Sequence, residues 1–186
     1  MYLLEGQATI EDVDDTVAEL AAIGDEHDCT VQAFDARYLA GREHLERAVE
    51  LADRAIERGE NVARDRGVEI LLYAAGRRQI DDALAMGVDA GETDVAVVID
   101  GVAEDGERDD RTISANDADA TAREADAAAA VRETLAIEEH STIGVEHADE
   151  ALVREFFEIT EAELSATGAD LADVVRERVA LLDVEK

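Results

Sequence analysis

An α+β (α/β) fold is predicted for this chain: a small mixed or antiparallel sheet flanked by helices, with a helical cluster closing the C-terminus. Three observations predict it. Four short stretches alternate or run apolar as strands do, and they are interleaved with longer stretches of 3.6-residue periodicity. The last third carries helical patterns alone. Hydrophobic residues make up 47% of 186, which suits one folded domain with a sizeable core rather than a disordered acidic chain.

The elements follow in order. Residues 2–8 (YLLEGQA) read as a short edge strand. Thr9 is placed to cap a helix with the stripe Ile10, Val13, Val17, Leu20 and Ala21, and Gly24 to stop it. Cys29–Phe34 alternates and reads as a second strand. Arg42–Arg58 carries the strongest helical pattern, with Leu45, Ala48, Val49, Ala52 and Ile56 on one face and Gly59 as its stop. Asn61–Arg66 is predicted as a short helix closed by Gly67. Val68–Ala75 suits a buried strand or a buried helix, and the stop at Gly76 favours helix. A fresh helical pattern then follows over 78–87 (RQIDDALAMG), with Ile80, Ala83 and Leu84 on its apolar side.

Asp94–Asp100 (DVAVVID) is a strand, 102–110 a solvated loop, and Arg111–Ala115 a further strand. Asp117–Ala130 is nearly all Ala and Asp, so it has helix propensity but little to offer a core. The acidic segment 103–130 is therefore expected to be mobile or inserted within a single domain spanning 1–186. His147–Phe157 forms one amphipathic helix, and Thr160-Glu-Ala-Glu163 is a capping box opening the next. After Gly168, Leu171, Val175, Val179 and Leu182 give the last helix its stripe.

Charge is the feature that points to function. The net charge is −31, yet nine of the sixteen arginines fall between Ala36 and Ile80, against eight acids. Residues 1–35 hold ten acids and no Lys or Arg, and residues 81–186 hold thirty acids against eight bases. A neutral-to-basic window kept inside so acidic a chain protects a surface from the chain's own repulsive field. Acid excess, a single lysine and small apolar residues match the halophilic style. In molar salt the Debye length is ~3 Å, so the negative charge does not exclude a nucleic-acid partner. Binding there has to rest on stacking, shape and short hydrogen bonds, because counterion release contributes little. One cysteine, Cys29, excludes an internal disulfide. The N-terminal sequence lacks a signal-peptide pattern and no run is long enough to span a bilayer, so a cytoplasmic protein is expected.

Within the window, NVARDRGVEILLYAAGRRQI (61–80) is the informative segment. If Gly76 ends one helix, Arg77, Arg78 and Gln79 stand at the first turn of the next, where free N–H groups attract anions. Two guanidiniums and an amide there suit a phosphate or a nucleotide edge, and Tyr73 could stack a base. The alternative is that Arg78 pairs with Asp82, Arg77 with Asp81, and Tyr73 packs in the core. His44, beside Leu45, reads as a structural histidine. His140 and His147 lack ligand spacing, so no metal or cofactor site is legible. No GxGxxG, Walker loop or nucleophile elbow occurs, and a non-catalytic protein is expected.

These residues also carry a family resemblance. The stretch from Gly41 to Val88, including His44-Leu45, Asn61-Val-Ala63, Glu69-Ile-Leu-Leu-Tyr73 and Gly76-Arg-Arg-Gln-Ile80, precedes a VAVVID strand and the endings ITEAEL and ERVALL. In that order it resembles the smallest widespread subunit of the KEOPS complex, the PRPK-binding protein family. The resemblance implies a non-catalytic subunit supporting threonylcarbamoyladenosine modification of tRNA. Such a subunit docks on a Bud-type atypical kinase/ATPase, binds the tRNA 3′ CCA end, and serves the threonylcarbamoyl transferase subunit indirectly. On this sequence the expected RNA-binding residues are Asn61, Arg64, Tyr73, Arg77, Arg78 and Gln79, with Glu69 orienting an arginine. The expected kinase-docking face comprises Ile159, Leu164, Val174, Val175 and Val179. A kinase-regulating protein–protein module without direct RNA binding is the alternative.

Overall fold

The computed structural model describes residues 1–101, 113–144 and 147–184. Strand β1 (Tyr2–Ile10) leads into helix α1 (Val13–His27) and strand β2 (Cys29–Asp35). A 3-10 turn (Ala36–Tyr38) precedes α2 (Arg42–Arg58), α3 (Arg66–Ala75) and the single-turn α4 (Ile80–Ala83). After a second 3-10 turn (Leu84–Met86) come β3 (Gly91–Gly101), α5 (Ile113–Thr134) and the two-residue β4 (Glu138–Glu139). The short helices α6 (Glu150–Phe156) and α7 (Glu161–Thr167) precede α8 (Leu171–Val184). The sheet runs β2-β3-β1-β4 with every pairing antiparallel, so the α+β expectation holds and the sheet is antiparallel rather than mixed.

The long apolar run of β3 follows from its central position. Val95, Val97 and Ile99 pack on one face against α1 and α5, while Ala96 and Val98 pack on the other against α2 and α3. Both faces are covered, so the strand needs no polar alternation. The α2–α3 side is the larger core. It gathers Phe34, Leu45, Leu51, Ile70, Leu72 and Tyr73, and the valines of α8 close over it.

Several expectations are corrected by tertiary context. β1 is interior, between β3 and β4, and it runs on to Ile10 because Thr9 and Ile10 pair with Glu92 and Gly91. The cap of α1 is therefore Asp12, whose carboxylate accepts from Asp15 N at 3.0 Å. Gly24 does not stop α1. It lies where the helix presses on β2, and an added Cβ there would stand 2.6 Å from the Cys29 carbonyl oxygen. Asn61–Arg66 is not a helix closed by Gly67, since Gly67 lies inside α3. Residues 113–115 are helical, not a strand, while 111, 112 and the expected loop 102–110 lie outside the described residues. The Ala-Asp stretch forms helix as its composition dictates, but it gives more to the core than expected. Ala127 and Ala128, with Val131, are buried against the sheet, where small side chains permit close approach. The piece from His147 shortens to α6, capped by Asp149.

Candidate nucleic-acid and partner interface

Helix α3 organises the arginine window, and each of its ends is fixed differently. Asp65 caps the start by accepting from Val68 N at 2.9 Å. The preceding loop is held by Glu69, only 1% exposed, whose Oε2 accepts from Val62 N at 2.9 Å and Ala63 N at 2.8 Å. Glu69 thus positions the loop bearing Arg64 through its backbone. Asn61 folds the same loop, donating from Nδ2 to Ala63 O at 2.7 Å. Arg64 is exposed and forms no ion pair with a described residue. Arg66 behaves oppositely. Its Nε meets Asp53 Oδ1 at 2.7 Å, and Asp100 flanks its other side. Burial pulls this guanidinium's pKa down, but Asp53 and Asp100 outweigh it, so Arg66 titrates above its ordinary value.

The far end of α3 closes in a left-handed turn at Gly76 (φ 60°), with Arg77 N donating to Leu72 O at 3.0 Å. Beneath it His44 is 1% exposed and ties α2 to α3. Its Nε2 donates to Ala74 O at 2.7 Å, and its Nδ1 accepts from Ala40 N at 3.4 Å. Burial lowers its pKa to about 4, against the opposing pull of the Ala74 hydrogen bond. His44 is a neutral strut.

Beyond the turn, the two arginines part ways. Neither pairs with Asp81 or Asp82. Arg77 reaches across to the C-terminal helices: its guanidinium lies over the Phe156 ring at 5.2 Å, donates to the Phe156 carbonyl, and stands 3.6 Å from the exposed carboxylate of Glu158. Phe156 belongs to an aromatic chain with Tyr38, Phe157 and, through Phe157, His44. Arg78 is exposed, with no ion pair among the described residues. Gln79 is also exposed, in extended conformation at the N-cap of α4, and its side chain makes no capping bond. Next to them Ile80 is 41% and Leu84 55% exposed.

The expected helix mouth is therefore different in kind. Arg77, Arg78 and Gln79 precede α4 rather than form its first turn, and Asp81 and Asp82 occupy that turn. One turn aligns too few peptides to attract an anion strongly. What the geometry offers is an exposed guanidinium and amide beside two aliphatic side chains, with a second guanidinium held on an aromatic ring. Such a surface can stack and hydrogen-bond a planar, charged ligand. Tyr73 is wholly buried, so it supports this end from within and presents no platform. Asn61 and Arg64 lie at the opposite end of α3, about 15 Å away along a ten-residue axis.

Of the residues expected to dock a partner, Ile159, Val174, Val175 and Val179 are buried in the chain's own core, and Leu164 is half-buried at its edge. The exposed surface above them belongs to α2 and α8. There Arg176 pairs with Glu43 and Asp173 along an open groove of about 690 Å³, and Leu181 is 40% exposed nearby on α8. Sequence reasoning missed Phe156 and Glu158, whose contacts with Arg77 span 79 and 81 positions and leave no local mark. It placed Ile80 and Leu84 with Ala83 on the apolar side of a helix, but only Ala83 of the three is buried. The shortness of the segment between Gly76 and Gly87 was the available signal, since one turn cannot bury a full stripe. No helix among the described residues is long and apolar enough to cross a membrane.

The family model described as kinase binding protein CGI-121 matches residues 9–183. Among curated proteins no match is found.

Proposed function

The chain belongs to the CGI-121 family of kinase binding proteins, and on that premise we propose that it is the non-catalytic KEOPS subunit that brings the tRNA 3′ end to a Bud-type kinase/ATPase. In this role it supports threonylcarbamoyladenosine synthesis by a separate transferase subunit and performs no chemistry itself. The observation that carries the RNA part is the exposed Arg78–Gln79 pair beside Ile80 and Leu84, in a chain of net charge −31. An unpaired RNA end exposes base faces and edges, so it can be held by stacking and hydrogen bonds without a strong positive field.

Three stacked nucleotides extend only ~10 Å, at ~3.4 Å per step. That is shorter than the span between Arg64 and Arg78. We therefore assign the terminal nucleotides to Arg77, Arg78 and Gln79, and leave Asn61 and Arg64 to more distant phosphates. For the kinase, the exposed surface of α2 and α8, including Arg176 and Leu181, is the proposed face, with the buried valines holding it in shape.

The test compares binding of intact tRNA and tRNA trimmed of its last three nucleotides, in molar KCl. Tighter binding of the intact molecule is expected, and equal affinity refutes end recognition. The second reading, a kinase-regulating module without RNA contact, is favoured by the family's description. It expects Arg78→Glu to leave both kinase stimulation and tRNA modification unchanged. Loss of modification with kinase binding preserved counts against it.

A further inference from the structure

We propose that Glu158 makes the surface beyond α3 selective for RNA whose last ribose keeps a free 2′,3′-diol, accepting hydrogen bonds from that diol and turning away a 3′-terminal phosphate. This selectivity rests on the surface's role as holder of an RNA 3′ end, and it specifies the chemical form of the end taken. Glu158 follows α6, and its side chain is 77% exposed. Its carboxylate stands 3.6 Å from Arg77 Nη1, close enough for an ion pair but too long for a hydrogen bond. Arg77 meanwhile donates from Nη2 to the Phe156 carbonyl and lays its face on the Phe156 ring. Neither Glu158 carboxylate oxygen accepts a hydrogen bond from a described residue. Its lone pairs are thus open beside the guanidinium assigned to the terminal nucleotides.

The backbone supplies a second, independent observation. Glu158 has φ 56°, a left-handed conformation that closes α6, with Ile159 N donating to Arg154 O at 2.8 Å. Glycine fills the corresponding position after α2, α3 and α7, as Gly59, Gly76 and Gly168. A side chain there carries a conformational cost that glycine avoids. Asp28 and Ala136 are the other non-glycine residues at positive φ, and neither stands beside an arginine of this surface. The turn itself uses only backbone groups of Glu158, and Arg77 is already held by Phe156. A long acid kept at a strained position against a half-exposed arginine points to a role outside the fold.

The chemistry of the two possible ends decides what that role selects. A terminal ribose offers two hydroxyl donors on adjacent carbons, and a carboxylate offers two acceptor oxygens and no donor. Hydrogen bonds to an ionised acceptor are among the strong ones. A 3′-phosphate removes one of the donors and sets a charge of about −1.5 to −2 against the same carboxylate. In molar salt the Debye length is ~3 Å, so the repulsion acts only at contact. It is therefore confined to the last ribose and leaves upstream phosphates to the arginines. Asp81 and Asp82 add charge on α4 but pair with neither arginine, so the carboxylate set against the guanidinium is that of Glu158.

The experiment measures binding, in molar KCl, of three forms of one tRNA: ending in a free 3′-hydroxyl, ending in a 3′-phosphate, and trimmed of its last three nucleotides. The parent chain is expected to bind the phosphate form about tenfold more weakly than the hydroxyl form. Glu158→Gln should bring the two within about threefold, because its amide can donate to the phosphate. Glu158→Gly, which relieves the backbone and so keeps the fold, should narrow the ratio likewise. Glu155→Gln, an equal charge change in the last turn of α6, should leave the ratio within about twofold of the parent's. A merely structural role for Glu158 would shift both forms together and leave their ratio as it was. That result, or equal narrowing in Glu155→Gln, overturns the proposal while end recognition stands. So does a parent chain that binds both full-length forms alike and trimmed tRNA more weakly. Equal binding of all three forms overturns end recognition itself, and the selectivity falls with it.

Discussion

At its start α3 carries one free arginine, Arg64, and one clamped, Arg66; just past its end Arg78 is free and Arg77 is tied to Phe156 and Glu158. The two ends thus present the same charge inventory. They differ in what surrounds it. Arg66 is sunk between two carboxylates, with its side chain 18% exposed, and serves the fold. Arg77 keeps 33% exposure on an aromatic face, and Ile80 and Leu84 stand open beside Arg78. Positive charge alone does not separate a structural end from a binding one. Nor does exposed apolar surface by itself, since Val62 is 52% exposed near Arg64; what the far end adds is an aliphatic pair and the Gln79 amide beside the free guanidinium.

The contrast can be tested first through the devices that hold each end. The largest effect is expected at the start of α3. Glu69→Ala removes the acceptor for Val62 N and Ala63 N and orphans two backbone donors, one of them buried. Urea unfolding should report a loss of about 3–4 kcal/mol. A loss under about 1 kcal/mol would mean that this loop is held by something else.

The far end should be sensitive to acid. His44 is neutral in the fold, with a pKa of about 4, whereas the unfolded chain binds its proton near the ordinary value of 6.5. Between those values the unfolded state carries the extra proton, so stability falls as pH falls through the window, by about 3 kcal/mol at its lower limit. Carboxylates titrate in part of this range, so the measurement is a difference: the slope of unfolding free energy with pH should be shallower by about one proton in His44→Gln. An unchanged slope would remove His44 as the strut beneath Ala74.

A smaller effect is expected at the turn itself. Gly76→Ala places a side chain at φ 60°, where the nearest atoms are an uncrowded 3.7 Å away. The cost is conformational rather than steric, about 1–2 kcal/mol by urea unfolding. A neutral substitution would show that the turn relaxes, and with it the placing of Arg77 on Phe156.

What the sequence made legible follows the same division between local and distant causes. Arg42–Arg58 is found to the residue because its stripe, its length and Gly59 agree. The Gly76 stop and the Thr160 cap are likewise local, and both are present. The α1 boundary fails because strand partners 83 and 81 positions away extend β1 over Thr9 and Ile10. The arginine pair is the sharpest case. Arg77 and Arg78 are identical neighbours in sequence, and their fates are separated by contacts from α6, which no local window contains. Tyr73 fails similarly: an aromatic in an arginine-rich segment suits a stacking platform or a core, and only packing chooses.

The finest discrimination between the two ends is functional. Arg78→Ala removes one exposed guanidinium from the surface that also holds Gln79, Ile80 and Leu84, and Arg64→Ala removes one from a surface without those neighbours. Neither pairs with a described residue, so neither change should alter urea unfolding by more than about 0.5 kcal/mol. If stacking and short-range donors govern binding, Arg78→Ala should weaken intact tRNA about tenfold in molar KCl, and Arg64→Ala less than about threefold. Trimming the last three nucleotides should then erase most of the Arg78 effect and leave the Arg64 effect as it was. Equal losses at both positions, insensitive to trimming, would mean that the ends of α3 act as interchangeable charges. The exposed aliphatic pair would then have no part in recognition.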